Sequence, residues 1–356
     1  MAYDEALGLV APVAPPEPRR TDALPVRQRR VARALRPGAP QQVIDIAMED
    51  IAELEPGQAL VRVQAAAVNH SEGLALRGGA YTQGLPFPCL LGYEGAGTVV
   101  ATGPQVHLQA GTRVCWAPVV GSCADYLTAP AAMLVPVPDG LGVEDAARLP
   151  SAGVTAQLLT RVWPLAGRKV VVWGAAGPVG RMLVALLCEA GTEVIGIASG
   201  DRVQIVRELG AAHAVDRTRH DVAEAVGALT DGRGVTAVFD PVGAPTYQAS
   251  LAMLGRRGCL INYGELSGEL STVELMDLMD KGLFVTKFGG GGALDDLSEL
   301  PGLIADALAL ALRRPQVISQ AGGRFSLERA ADGYQALQAD PPGKILIIPD
   351  HAAGLS

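Results

Sequence analysis

Residues 169–198 constrain this chain more than any other stretch. The apolar run KVVVW leads through Gly174 into AAGPVG, and then into RMLVALLCEA, whose apolar residues recur at helical spacing. After AGT a second apolar run, EVIGIA, follows. A buried strand, a glycine-bearing turn, a helix and a second buried strand in about thirty residues form the unit of a doubly wound parallel sheet. Gly177 leaves no side chain between the backbone and an approaching pyrophosphate, and Gly180 lets the helix close on the strand. Pro178 suits the first helical turn, where no backbone donor is needed. The helix start then offers free N–H groups and a positive dipole end, so Ala176, Gly177, Pro178, Val179 and Gly180 read as a dinucleotide cradle. Ala175 stands where the GxGxxG pattern has its first glycine, so the flanking strand and helix carry the reading.

The alternation continues downstream. Helices are expected at Arg202–Leu209 and Asp221–Leu229, strands at His213–Asp216 and in VTAVFDPVG, then a helix to Leu254 and the strand GCLINYG. Upstream the character is different. ALVRVQAAAV alternates like a half-buried strand, GYEGAGTVVATG is a strand broken by glycines, and GTRVCWAPV is another. No helical period is visible in that block. Beyond Leu300 come a long Ala/Leu helix, a second helix over FSLERAADGYQAL, and the closing strand KILIIPD. Residues 1–30 hold Pro12, Pro15, Pro16, Pro18 and an arginine-rich stretch, an extended tail with little core to bury. It is either a dispensable extension or an arm that braces a dimer or binds a partner.

Composition excludes several classes. The 356 residues allow two domains, and a hydrophobic fraction of 49% against 19% charged is globular. A net charge of −8 argues against nucleic acid and against anionic membrane surfaces. No apolar run is long enough to cross a bilayer. Asp4 and Glu5 stand where a secretory signal carries positive charge, so a cytoplasmic protein is expected. Five scattered cysteines, never spaced CxxC, fit a reducing compartment rather than a disulfide framework.

The second strand ends on Ala198, Ser199 and Gly200 rather than on the acidic residue that would hydrogen-bond a ribose and repel a 2′-phosphate. Ser199, Arg202 on the next helix and Arg217 at the end of the third strand are the candidates to hold that phosphate. The choice therefore falls on NADPH, although arginine is common here, with only four lysines among 29 basic residues, and Asp201 lies close by.

From Val31 to Pro349 the segments AAAVNHSEGLALRGGAY, GYEGAGTVVATG, GTRV, AGVTA, GAAGPVG, FDPVG, LINYG and PPGKILIIP stand in one order. In that order the chain resembles the medium-chain dehydrogenase/reductases, most of all their zinc-independent, quinone oxidoreductase-like branch. The resemblance implies an α/β fold in which a Rossmann doubly wound parallel sheet is inserted into a GroES-like, β-rich catalytic domain. The expected divisions are an extension at 1–30, catalytic domain at 31–154, NADPH-binding domain at 155–288 and the rest of the catalytic domain at 289–356. A homodimer joined through edge strands is also implied.

In the zinc enzymes of this family the metal ligands would stand where this chain has Asn69, Tyr93 and the region of Ser151 and Ala152, so no zinc is expected. No HxxxH spacing is present; His70 lines the cleft or packs. Without a Lewis acid, hydride transfer to a quinone or to an α,β-unsaturated carbonyl is the easier chemistry, needing donors for a developing oxyanion and a proton. Asn69 matches the family asparagine that contacts the nicotinamide ribose or substrate. Tyr81 resembles the proton-donating tyrosine of enoyl thioester reductases, and is otherwise a packing aromatic. Thr155, Val242 and Gly243 match positions lining the nicotinamide. Asn262, Tyr263 and Gly264 end a strand beside the cleft, and Lys287 and Lys344 match positions near the cofactor. Glu94 is read as structural. A reductase of quinones or enones is the leading expectation. An enoyl thioester reductase of specialised or polyketide metabolism and a non-catalytic NADPH-binding adaptor are the alternatives.

Overall fold

The run Lys169–Val172 lies inside a six-stranded sheet. Its order is His213–Asp216, Glu193–Ala198, Lys169–Val172, Val235–Asp240, Leu254–Asn262 and Phe284–Lys287, every neighbouring pair parallel. This computed structural model describes residues 24–78, 86–289, 294, 296–339 and 341–350. The expected Rossmann strands are present, and Phe284–Lys287 adds a sixth that the sequence pattern did not announce. Chain order reverses on either side of Lys169–Val172, which places a crevice at the carboxyl ends of the strands.

A seven-stranded sheet forms the second layer system. Gly323–Ser326, Ile345–Ile348, Gln58–Val68, Gly95–Thr102, Arg113–Trp116 and Val135–Pro136 follow one another, with Tyr126–Pro130 also paired to Gln58–Val68. Both chain ends therefore build this β-rich unit, and the parallel sheet is inserted between them. A three-stranded sheet of Ile44–Asp50, Gln28–Ala34 and Cys89–Leu90 flanks it. Its middle strand starts inside the expected extension, and Arg30 pairs with the nearly buried Asp125 at 2.8 Å. Residues 1–23, with the proline cluster, lie outside the described residues.

Two differences from the sequence expectation matter for the site. Helix His70–Arg77 interrupts the β-rich block. Its signal is local: Asn69 opens it, and Glu72 three residues later turns back so that its Oε2 accepts from the Asn69 amide at 3.0 Å. In FSLERAADGYQAL, only Ala330–Ala336 is α-helical and the first residues belong to strand Gly323–Ser326.

Helices Pro150–Leu159 and Leu300–Arg313 press together at Gly153, where a Cβ would come 2.2 Å from that of Ala307. Leu300–Arg313 thus joins the core of the parallel sheet, while the strands after it return to the β-rich unit. The buried guanidinium of Arg181 links the two parts, with Nε donating to Ala176 O at 2.9 Å and a terminal nitrogen to Gln316 O at 3.1 Å. No carboxylate pairs with it in these contacts, and burial lowers its pKa.

Candidate active site

The turn after Lys169–Val172 is built as a cradle. Gly174 has φ +60°, and its carbonyl accepts from the Gly177 amide at 2.8 Å. A Cβ on Gly180 would lie 2.2 Å from Gly174 O, so no other residue fits without moving backbone. Gly177 caps the twelve-residue helix Pro178–Glu189, and a Cβ there would meet only Gly174 O, at 3.2 Å. The space in front is otherwise open. Pro178, Val179 and Gly180 form the first turn, whose N–H groups have no intrahelical acceptor. Ala176 is locked by Arg181 through its carbonyl. These residues fit a pyrophosphate, with backbone donors and a helix dipole facing it.

At the end of the second strand the structure brings Ser199 and Arg217 together: Arg217 Nε donates to Ser199 Oγ at 2.7 Å. Arg202 opens the following helix, Arg202–Glu208. Sequence reasoning missed the group that shapes this corner. Asp216 Oδ1 accepts from the Gly200 amide at 3.0 Å, the Thr218 amide at 2.9 Å and the Thr218 hydroxyl at 2.7 Å. These bonds to the charged form, that of the Thr218 hydroxyl foremost, lower its pKa to about 2. That oxygen is turned into its own loops, while the Ser199 and Arg217 side chains meet above them.

The opposite flank is organised by two further carboxylates that the sequence did not single out. Asp240, buried at the end of Val235–Asp240, accepts from the Val242 amide at 2.7 Å, the Gly243 amide at 3.3 Å and Thr246 Oγ1 at 2.6 Å. Burial nevertheless pushes its pKa up. Glu265 is buried at 3% exposure. Its Oε1 receives Lys287 Nζ at 2.8 Å, and Lys287 also donates to Asn262 Oδ1. Gly243 has φ +98° and lies against the Glu265 carboxylate with no room for a Cβ. Val242, Gly243, Asn262, Gly264 and Lys287 are thereby gathered at one lip of the crevice. Tyr263 shares that strand end, its amide donating to Asp240 O at 2.9 Å.

Across the crevice lies the β-rich unit. Asn69 ends strand Gln58–Val68, and its Nδ2 donates to Glu94 Oε2 at 2.9 Å. Glu94 is fully buried; its Oε1 accepts the Ser151 amide at 2.8 Å, and Lys344 Nζ donates to its Oε2. Lys344 therefore sits beneath the cleft with its charge directed at Glu94. Tyr93, the preceding residue, places its hydroxyl 3.0 Å from Ser71 Oγ. Thr155 lies one helical turn beyond Ser151 and is half-buried. Tyr81 falls outside the described residues.

The positions read above as former metal ligands thus converge, but as an amide, a phenol and a serine. That donor set has no thiolate or imidazole and does not fit zinc. A nucleotide cradle together with this polar cluster, which lacks a zinc donor set, defines a nucleotide-dependent oxidoreductase.

Comparison with known proteins agrees. Residues 55–158 match the family model of the alcohol dehydrogenase GroES-like domain, and residues 178–306 that of the zinc-binding dehydrogenases. The chain is 33% identical to a quinone oxidoreductase of Pseudomonas aeruginosa, across 84% of this chain and 94% of that protein. It is 33% identical to a 2-haloacrylate reductase of a Burkholderia species, across 65% of this chain and 73% of that one. A mycobacterial structure complexed with NADPH superposes with a TM-score of 0.78 at 31% identity, over 90% of this chain and all of that one. The chain belongs to the medium-chain dehydrogenase/reductase family, in its quinone oxidoreductase-like branch.

Proposed function

We propose that this protein is an NADPH-dependent reductase whose acceptor is a quinone or an α,β-unsaturated carbonyl. The observations that carry it are the open helix start at Gly177–Gly180 and the meeting of Asn69, Tyr93 and Ser151, an amide, a phenol and a serine, at the positions where the zinc enzymes would hold metal. Bound NADPH supplies the hydride. The chain's own residues do the rest. The helix start at Gly177–Gly180 holds the pyrophosphate, and Ser199 with Arg217 holds the 2′-phosphate. Val242, Gly243, Asn262, Tyr263 and Gly264 wall the nicotinamide side, with Lys287 bracing Asn262. Asn69 approaches from the β-rich side and Thr155 from helix Pro150–Leu159, and Lys344 stabilises Asn69 through Glu94. Negative charge that builds on the acceptor oxygen needs a donor oriented in advance, which is where such sites gain most of their rate. Steady-state loss of NADPH with a panel of quinones and enones tests the reading, and no turnover with any of them overturns it.

The same reading includes a homodimer in the cytoplasm. Strand Phe284–Lys287 pairs on one side only among the described strands, and Leu275, Met276, Met279 and Phe284 beside it are exposed. Such an edge is suited to a second copy of itself. Five free thiols suit a reducing compartment.

A further inference from the structure

We propose that the Tyr93 hydroxyl is the proton donor to a conjugated carbonyl acceptor, with Ser71 as its relay to water. The proposal rests on the reductase reading above and names the residue that completes it.

Its basis is the way hydrogen bonds are spent in the cleft. The Asn69 amide donates to Glu94, the Ser151 amide donates to Glu94, and Lys344 donates to Glu94. One buried carboxylate therefore absorbs these donors and orients them. Tyr93 is different. Its oxygen lies 3.0 Å from the Ser71 hydroxyl. When Ser71 donates to that oxygen, the phenolic proton is left to point at another acceptor. That bond also stabilises the phenolate that remains once the proton has gone. Burial, and then the negative charges of Glu72 and Glu94, push the phenol pKa up, so the group enters the reaction protonated. Ser71 is exposed, on the first turn of helix His70–Arg77, and can pass a proton inward from solvent.

The step balances. Hydride addition at the β-carbon moves the π pair of the double bond into an enolate. The Tyr93 O–H bond breaks as a C–H bond forms at the α-carbon. The phenolate regains its proton from Ser71 Oγ, and Ser71 regains one from water. A quinone needs less, because the hydroquinone anion takes its proton from solvent.

Tyr93→Phe keeps the ring and removes the proton. General acid catalysis contributes about 10²–10⁴-fold, so kcat/KM for an α-methyl enone should fall in that range. Quinone reduction should fall less, and the enone-to-quinone ratio should drop at least tenfold. The configuration of the new α-carbon is the second readout: the wild type sets one configuration, and Tyr93→Phe gives a mixture. Quenching of NADPH fluorescence should match the wild type, which shows that the variant is folded and loaded. An unchanged ratio with a single α-configuration overturns the proposal. So does a Tyr81→Phe variant that scrambles the α-carbon while Tyr93→Phe does not. A wild type that reduces quinones alone overturns the proposal but leaves the reductase reading standing; one that oxidises NADPH with neither acceptor overturns both.

Discussion

The side-chain amide of Asn69 donates to Glu94 Oε2 at 2.9 Å, and the same buried carboxylate receives the ammonium of Lys344. A residue at the cleft is thus held by an ion pair beneath it. Breaking a buried pair by removing one charge costs about 3–5 kcal/mol, because the other charge stays buried and uncompensated. Glu94→Gln should lose stability on that scale in urea denaturation. Glu94→Gln combined with Lys344→Met should recover most of it. A double variant as unstable as the single one would show that charge compensation is not the reason for the pair.

The two cradle glycines should separate packing from binding. Gly180→Ala drives a Cβ into the Gly174 carbonyl, and overpacking against backbone should cost at least about 3 kcal/mol. Gly177→Ala brings its methyl against the Gly174 carbonyl alone, a far milder contact at 3.2 Å. It should melt close to the wild type yet bind NADPH about tenfold more weakly, near 1.4 kcal/mol. Thermal melting and fluorescence titration check both, and equal melting temperatures for the two variants would contradict the assignment.

Arg217 and Ser199, in contact at 2.7 Å, form the corner proposed to hold the 2′-phosphate. A charged hydrogen bond is worth about 1.5–3 kcal/mol. Arg217→Ala should therefore weaken NADPH by ten- to a hundredfold while NADH changes little. Dissociation constants for the two nucleotides decide it; equal losses for both would place Arg217 elsewhere.

Asp216 carries a pH signature. Its folded pKa, about 2, lies below that of the unfolded chain. Its contribution is therefore present in full above the unfolded value of roughly 3.9 and fades as pH falls toward about 2. Asp216→Asn should be less stable than the wild type near neutrality, and the gap should close through that acid window. Urea midpoints measured against pH are the check, and a gap that stays constant would sink the attribution.

The exposed apolar residues near the edge strand make the proposed dimer testable. Met276→Lys with Phe284→Lys adds like charges across a two-fold contact and should yield monomers in sedimentation at micromolar concentration. A native dimer that survives both changes is joined by another surface.

Much of this molecule is written locally. The strand–turn–helix at Lys169–Glu189, the cradle glycines and the neutral strand end at Ser199 are visible in sequence because each depends on neighbours a few residues away. Helix His70–Arg77 was missed although Asn69 and Glu72 spell a capping box, since eight residues carry too few turns for periodicity to show. Strand Phe284–Lys287 was missed because half its face is exposed and its pattern is short.

The carboxylates were not legible in that way. Nothing near Asp216 in the chain announces that it will hold Gly200, sixteen residues away, and nothing near Glu94 announces Lys344, 250 residues away. Glu265 looks like any acidic loop residue until Lys287 and Gly243 close over it. From the amino-acid order alone came the sheet, the cradle and the absence of metal-ligand types at three positions. Folding in three dimensions decided which side chains spend their hydrogen bonds on one another and which hydroxyl is left to act. Burial is what makes that decision, because a polar group removed from water must find its partner wherever the fold has brought one.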